Sequence, residues 1–187
     1  MKNHKLSKLL LASVISSLTV PTFAQQLEEV VVTASKRAEN LQDIPQAVTA
    51  FSSERLVELG IVETSDLMGA IPNIQVTSAY GRTQPNFSIR GISVANEFSA
   101  ATASPVGVYV DEVYQSFRAS HGQQLFDLES VEVLRGPQGT LYGRNTTGGA
   151  VNVNTIKPSL DEGTSGFLNV RLGNYSYADF TGAVEAT

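Results

Sequence analysis

The 187-residue chain has no cysteine, only two histidines and few basic side chains. Without cysteine, a disulfide scaffold and a thiolate nucleophile are both excluded. His4 lies in a leader-like start, which leaves His121 as the one imidazole beyond it. A transition-metal site would then need scattered carboxylates, so no bound zinc or other cofactor is expected. No long apolar helix offers itself as a membrane anchor. The stretch Leu9 to Val20 rises only roughly 18 Å as a helix, against a hydrocarbon core of about 30 Å. If Lys2, Lys5 and Lys8 leave with the leader, thirteen basic residues become ten against eighteen acidic ones, a formal charge of −8. That balance argues against a nucleic-acid partner.

The start reads as a secretory signal over 1–24. It has a basic beginning, the apolar run and Thr22-Phe-Ala24 as a small-residue cleavage site. Next comes a short segment and linker over 25–40. In it Val30, Val31 and Val32 form a β-branched run flanked by Glu28, Glu29, Thr33 and Ala34. Such a run wants a strand partner. It is either the first edge strand of the following domain or a strand that adds to another protein's sheet.

Residues 41–158 carry the pattern of one α/β domain. Strands are predicted at 47–51, 74–76, 87–91, 106–110, 131–134 and 150–155 from β-branched and alternating apolar residues. Ser52 or Ser53 can cap a helix running to Leu59, with Gly60 just past its end, and Thr64 or Ser65 can start a second that stops before Pro72. The small, polar stretch 93–104 reads as a loop. Over 159–187, Phe167/Asn169/Arg171 alternate with Leu168/Val170/Leu172, a turn is expected at Asn174-Tyr-Ser, and a return strand follows from Ala178. One apolar and one polar face is the pattern of a membrane β-strand.

Chemical candidates fail on their own terms. Gly136-Pro-Gln-Gly139 lacks the Gly-Lys-Ser/Thr of a phosphate loop. Gly91-Ile-Ser-Val-Ala95 lacks the second glycine of a nucleophile elbow. Asp111-Glu112 and Asp127 with Glu129 read as solvated turn and helix-start charges. No enzymatic role is expected. Tyr80, Phe98, Tyr109, Tyr114 and Phe117 are either an aromatic ligand surface or core and rim residues.

Most informative is Val131-Glu-Val-Leu-Arg-Gly-Pro-Gln-Gly-Thr-Leu-Tyr-Gly-Arg-Asn-Thr-Thr-Gly-Gly-Ala-Val-Asn-Val153, an alternating strand that runs through a Gly-dense turn into another. Gly136, Gly139, Gly143, Gly148 and Gly149 sit where backbone must turn or approach another surface closely. With Asn86-Phe-Ser-Ile-Arg-Gly-Ile92 and Gly107-Val-Tyr-Val-Asp111, in that order along the chain, this resembles the plug domain of a TonB-dependent outer-membrane receptor.

The resemblance implies an α/β plug domain, a small mixed sheet with short helices, followed by the first one or two strands of an incomplete transmembrane β-barrel. Glu28, Glu29, Val30, Val31, Val32, Thr33 and Ala34 resemble a TonB box, to which a TonB-type energising protein adds a strand. Arg90 and Arg135, otherwise readable as exposed arginines, are implied to face glutamates on the barrel wall. Outward loops touching a small nutrient ligand fall at Tyr80, Gly81, Arg82 and Thr83 and at 95–104, including Asn96, Glu97 and Phe98. The implied role is the gate of active nutrient uptake, of siderophore-iron, cobalamin or carbohydrate type, at the outer membrane. The alternative is a truncated, soluble periplasmic plug that binds the energising partner without transport. An open sheet edge cannot sit in lipid, so two strands make no pore.

Overall fold

The computed structural model describes residues 31–33, 36–37, 39–99, 102–158 and 163–186. The leader, Glu28, Glu29, Val30 and Ala34 lie outside them.

Alternating β-branched residues build a five-stranded mixed sheet. Its strands are β3 (Val48–Ser52), β6 (Val106–Val110), β7 (Val113–Tyr114), β8 (Leu128–Arg135) and β9 (Gly149–Thr155), in the order β3-β8-β9-β6-β7. Only β6 and β9 pair in parallel; the other neighbours are antiparallel. A two-stranded ladder, β4 (Ile74–Thr77) with β5 (Asn86–Ile89), packs beside it.

The predicted elements are present with shifted ends. Ser52 caps helix α1 (Ser53–Glu58), its hydroxyl accepting from the Arg55 amide, and Gly60 follows with φ 66°. The second helix is a 3₁₀ turn, Thr64–Asp66, running into α2 (Leu67–Ala70). Its cap is Glu63 rather than Thr64 or Ser65, because the Asp66 carboxylate reaches back to the Glu63 amide at 3.0 Å. Strand β5 stops at Ile89, short of the predicted Gly91, because Arg90 and Gly91 take φ 52° and 79°. One turn of helix, α3 (Gly139–Tyr142), occupies the middle of the Gly-dense region. There Gly149 has φ 152°, and a Cβ on it would collide with the Leu134 carbonyl and come 2.8 Å from Ile89 Cδ1.

Both faces of the sheet are covered. On one, Phe51, Val106, Val108, Val131, Val133, Val151 and Val153 pack against Leu56, Ile61, Leu67, Ile71, Ile74, Phe87 and Ile89. Each fully buried side chain of this size contributes about 1.5–3 kcal/mol. On the other, Tyr109, Leu134 and Ala150 lie under Val32, Ile44 and Tyr142.

Strands β10 (Ser165–Leu172) and β11 (Ala178–Glu185) form an antiparallel hairpin with no ladder to the main sheet. Its turn is the predicted one, with Tyr175 and Ser176 at φ 60° and 61°. Register puts Gly166, Leu168, Val170 and Leu172 opposite Val184, Gly182, Phe180 and Ala178 on one apolar face. Leu168, Leu172 and Val184 are 70%, 76% and 81% exposed. The other face pairs Arg171 with Asp179 at 3.4 Å and sets Phe167 against Phe126 of the α/β domain, ring centres 6.3 Å apart. An eight-residue strand spans about 26 Å along its own axis, which at the roughly 35–45° tilt of barrel strands rises about 20 Å, somewhat short of the roughly 25 Å apolar band of an outer-membrane barrel.

Candidate functional site

Three regions singled out in the sequence acquire geometry. The first is the amino-terminal segment. Val31 and Val32 form a two-residue strand, β1, paired only with β2 (Glu39–Asn40), and neither joins the five-stranded sheet. The segment is thus not an edge strand of the main sheet; it lies across the second face. Val32 is fully buried beside Leu134, Tyr142 and Ala150. The Lys36 ammonium sits 5.6 Å from the centre of the Tyr142 ring.

Thr33 meets a carboxylate. Its amide donates to Glu132 Oε1 at 2.6 Å and its hydroxyl to the same oxygen at 3.1 Å. Glu132 is fully buried, in register with Asn152, and Asn152 and Asn154 each reach it with Nδ2 at 3.4 Å. Asn154 Nδ2 also donates to Ser130 Oγ at 2.9 Å. The half-buried strand read from Val131 and Val133 left Glu132 on the uncovered side. What closes over it is a segment about a hundred residues earlier.

Tyr109 and Tyr142 seal the same face. The Tyr109 hydroxyl donates to the Tyr142 carbonyl at 2.6 Å, and the rings meet edge to face at 4.9 Å. Burial raises the pKa of both phenols above the ordinary tyrosine value. Proximity to Tyr114 adds to the rise at Tyr109, and the Glu132 charge to that at Tyr142.

The second region joins the two loops expected to face ligand. Tyr80 donates to the Phe98 carbonyl at 3.2 Å, with the two rings 6.3 Å apart and nearly perpendicular. Thr77 Oγ1 donates to Glu97 Oε1 at 2.6 Å. Asn96 caps the turn by accepting from the Phe98 amide at 3.0 Å. Tyr80 and Phe98 remain 54% and 73% exposed. Gly81 and Thr83 belong to a 3₁₀ turn, tied by Thr83 Oγ1 donating to Tyr80 O at 3.2 Å. Arg82 turns away from the aromatic pair to Glu63, at 3.2 Å. Met68, Val76, Ser78, Gly81 and Arg82 line an open groove of about 660 Å3 alongside.

Sequence reasoning missed the residue that pins this loop. Arg118 is buried and donates to Asn86 Oδ1 at 2.9 Å, Glu97 O at 2.9 Å and Ser99 O at 2.7 Å. Three residues later His121 is buried too; desolvation lowers its pKa, with Arg118 adding to the shift against the opposing bond to Gln115 O. An Arg-x-x-His spacing in a polar stretch carries no signal of burial.

The third region holds the two glycine-flanked arginines. A guanidinium nitrogen of Arg90 lies 3.5 Å from where a Gly136 side chain would begin, so Arg90 adjoins the Arg135-Gly136 turn. Arg135 Nε is buried with no hydrogen-bond partner among the described residues. Among them neither guanidinium forms an ion pair.

These features match one known architecture. The family model for the TonB-dependent receptor plug domain covers residues 40–150. The chain belongs to that family: it carries the plug of a TonB-dependent receptor, a class of the outer membrane. It is 34% identical over 138 residues to the pesticin receptor of Yersinia pestis, covering 73% of this chain and 20% of that protein. It is 26% identical over 163 residues to a vitamin B12 transporter of Vibrio vulnificus, covering 81% and 25% respectively. Among solved structures it resembles the ferric yersiniabactin uptake receptor of Yersinia pestis, at 33% identity and TM-score 0.58, over 66% of this chain and 18% of that one. The fold also matches the alcaligin outer-membrane receptor of Bordetella pertussis, at TM-score 0.63 and 21% identity, over 83% and 26%. The chain thus spans about a fifth to a quarter of the length of these relatives.

Proposed function

We propose that this chain supplies the gate and the handle of an outer-membrane importer for a scarce nutrient. The plug occludes a β-barrel whose first two strands are β10 and β11. A TonB-type energising protein takes the segment Glu28 to Ala34 by strand addition and pulls on the plug. Substrate is held outside by the aromatic pair Tyr80 and Phe98 and the turns that carry them. Arg90 and Arg135 pair with carboxylates of the barrel wall.

The observation that carries this reading is the attachment of Val31–Thr33. Val31–Thr33 are held by a two-residue ladder, one buried valine and the Thr33 bonds to Glu132, a short set of contacts that another protein's sheet edge can replace. The hairpin supports the barrel, since its polar face turns toward the plug and its apolar face outward. The adjacent arginines without ion pairs support the wall contact, because a guanidinium fork in a confined interface calls for a carboxylate. The nutrient class follows the relatives, named for ferric yersiniabactin uptake and vitamin B12 transport.

The test is Val31→Pro in the full-length protein. Proline removes an amide donor and strand geometry from the segment. Uptake of ferric siderophores and cobalamin should fall to background while the amount in the outer membrane is unchanged. Undiminished uptake would show that the segment is not the handle.

A further inference from the structure

We propose that Glu132 is the clasp that holds the amino-terminal segment on the plug, so that its bonds to Thr33 set whether the segment is stowed or free. This rests on reading Glu28 to Ala34 as the strand the energising partner takes, and adds how that strand is kept from it.

A fully buried carboxylate needs either a cation or a full set of donors. Among the described residues Glu132 makes no ion pair. Its two shortest bonds, 2.6 and 3.1 Å, come from Thr33, and those from its own sheet are 3.4 Å each. The segment therefore provides the better half of this carboxylate's solvation. Asn152 and Asn154 also reach the Thr33 hydroxyl, at 3.5 and 3.3 Å, so one threonine closes a network spanning two adjacent strands.

The same face divides by chemistry along its strands. Ser130, Glu132, Asn152 and Asn154 form a polar half, and Leu134 with Ala150 an apolar half. Val32 seats in the apolar half and Thr33 in the polar half, so a one-residue slip would put valine over the carboxylate. A register fixed in this way suits a stowed segment rather than a loosely draped tail. Beside the clasp, a cavity of about 310 Å3 is lined by Thr33, Glu132, Asp111, Glu112, Glu129 and Lys157. Water entering there can solvate Glu132 once Thr33 leaves, which makes release reversible.

These 187 residues carry no cysteine, and any cysteine elsewhere in the full-length protein is first replaced by serine. Val32→Cys is introduced into the full-length protein, and its alkylation by a maleimide is timed in isolated outer membranes, where no inner-membrane partner is present. Leu67→Cys, fully buried in the other core, reports on the plug as a whole. Glu132→Ala should speed labelling at position 32 by about tenfold or more, the effect of losing a charge-assisted bond or two. Thr33→Pro, which leaves Glu132 and the sheet intact, should do the same. Labelling at position 67 should stay slow in both.

Unchanged labelling at position 32 in both variants overturns the proposal. So does a parallel rise at positions 32 and 67, because Glu132 would then hold the sheet and not the segment. Failure of the partner reading is separable. Faster labelling combined with normal uptake by Val31→Pro leaves the clasp standing and removes the handle; unchanged labelling with blocked uptake does the reverse.

Discussion

Arg118 offers the sharpest test of how the plug holds its 96–99 turn in shape. Its guanidinium donates three hydrogen bonds of 2.7–2.9 Å, two of them to backbone carbonyls of the 96–99 turn. Bonds from a charged donor contribute about 1.5–3 kcal/mol each. Truncation also admits water to the exposed turn, so a net local loss of about 3 kcal/mol is expected rather than the full sum. That corresponds to roughly a hundredfold rise in local opening. Hydrogen exchange of peptides covering residues 96–99 in purified full-length protein, compared between native and Arg118→Ala, measures it. Arg118→Lys should recover part of the protection, since an ammonium keeps the charge and three donors but not the planar fork whose two nitrogens reach Asn86 on one side and the Glu97 and Ser99 carbonyls on the other. If ligand sits on Tyr80 and Phe98, nutrient affinity should fall alongside loop protection. Exchange unchanged at 96–99 would refute the pinning role. Equal acceleration in the Val131–Val133 strand would refute it as well, making Arg118 a general support of the core.

Three other outcomes are expected. Gly149→Ala forces a side chain against the Leu134 carbonyl at a φ of 152° and should destabilise the plug by at least about 3 kcal/mol, read as rapid proteolysis of full-length protein that native sequence resists. Tyr109→Phe deletes the 2.6 Å bond to the Tyr142 carbonyl and should weaken the covered face by about 1 kcal/mol, measured as faster exchange at Tyr142 with the first core unaffected. His121 has a lowered pKa when folded, so the open state binds the proton more readily. Protection at the Thr64 and Leu125 amides, whose bonds flank it, should therefore be full above about 6.5 and decline as pH falls from there toward the lowered folded value, with His121→Phe flattening the profile.

Much of this fold was legible because its strands alternate and its helices carry local punctuation. Ser52 and Gly60 bracket α1 through bonds within a few residues, and such signals survive in any tertiary setting. The turn at Tyr175-Ser176 was placed for the same reason. Element ends failed where backbone dihedrals broke a pattern the side chains continued, as at Arg90 after β5. The site was legible only in part. Tyr80 and Phe98 were placed on loops, but the 3.2 Å bond joining those loops depends on β4 and β5 folding back on each other. Arg118 and Glu132 left no trace, since alternation assigns a side chain to a face without saying what covers that face. Both are buried polar groups whose best acceptors or donors lie 19 to 99 residues away.

The division of the core bears on whether residues 31–33 can leave the plug while it keeps its shape. Every buried member of the first core lies at or beyond Phe51, whereas the second draws Val32 and Ile44 from the amino-terminal stretch. Lifting residues 31–33 thus uncovers Leu134, Ala150 and Tyr142 but removes nothing from the face that holds Val131, Val133 and Val151. Tyr109 and Tyr142 remain bonded to each other through a contact the segment does not make. Tension applied at Thr33 reaches β8 first, through Glu132, because that carboxylate accepts the backbone amide itself. A pull strong enough to break the Thr33–Glu132 bonds frees the segment with the first core intact; a pull transmitted before they break loads β8, an interior strand of the sheet.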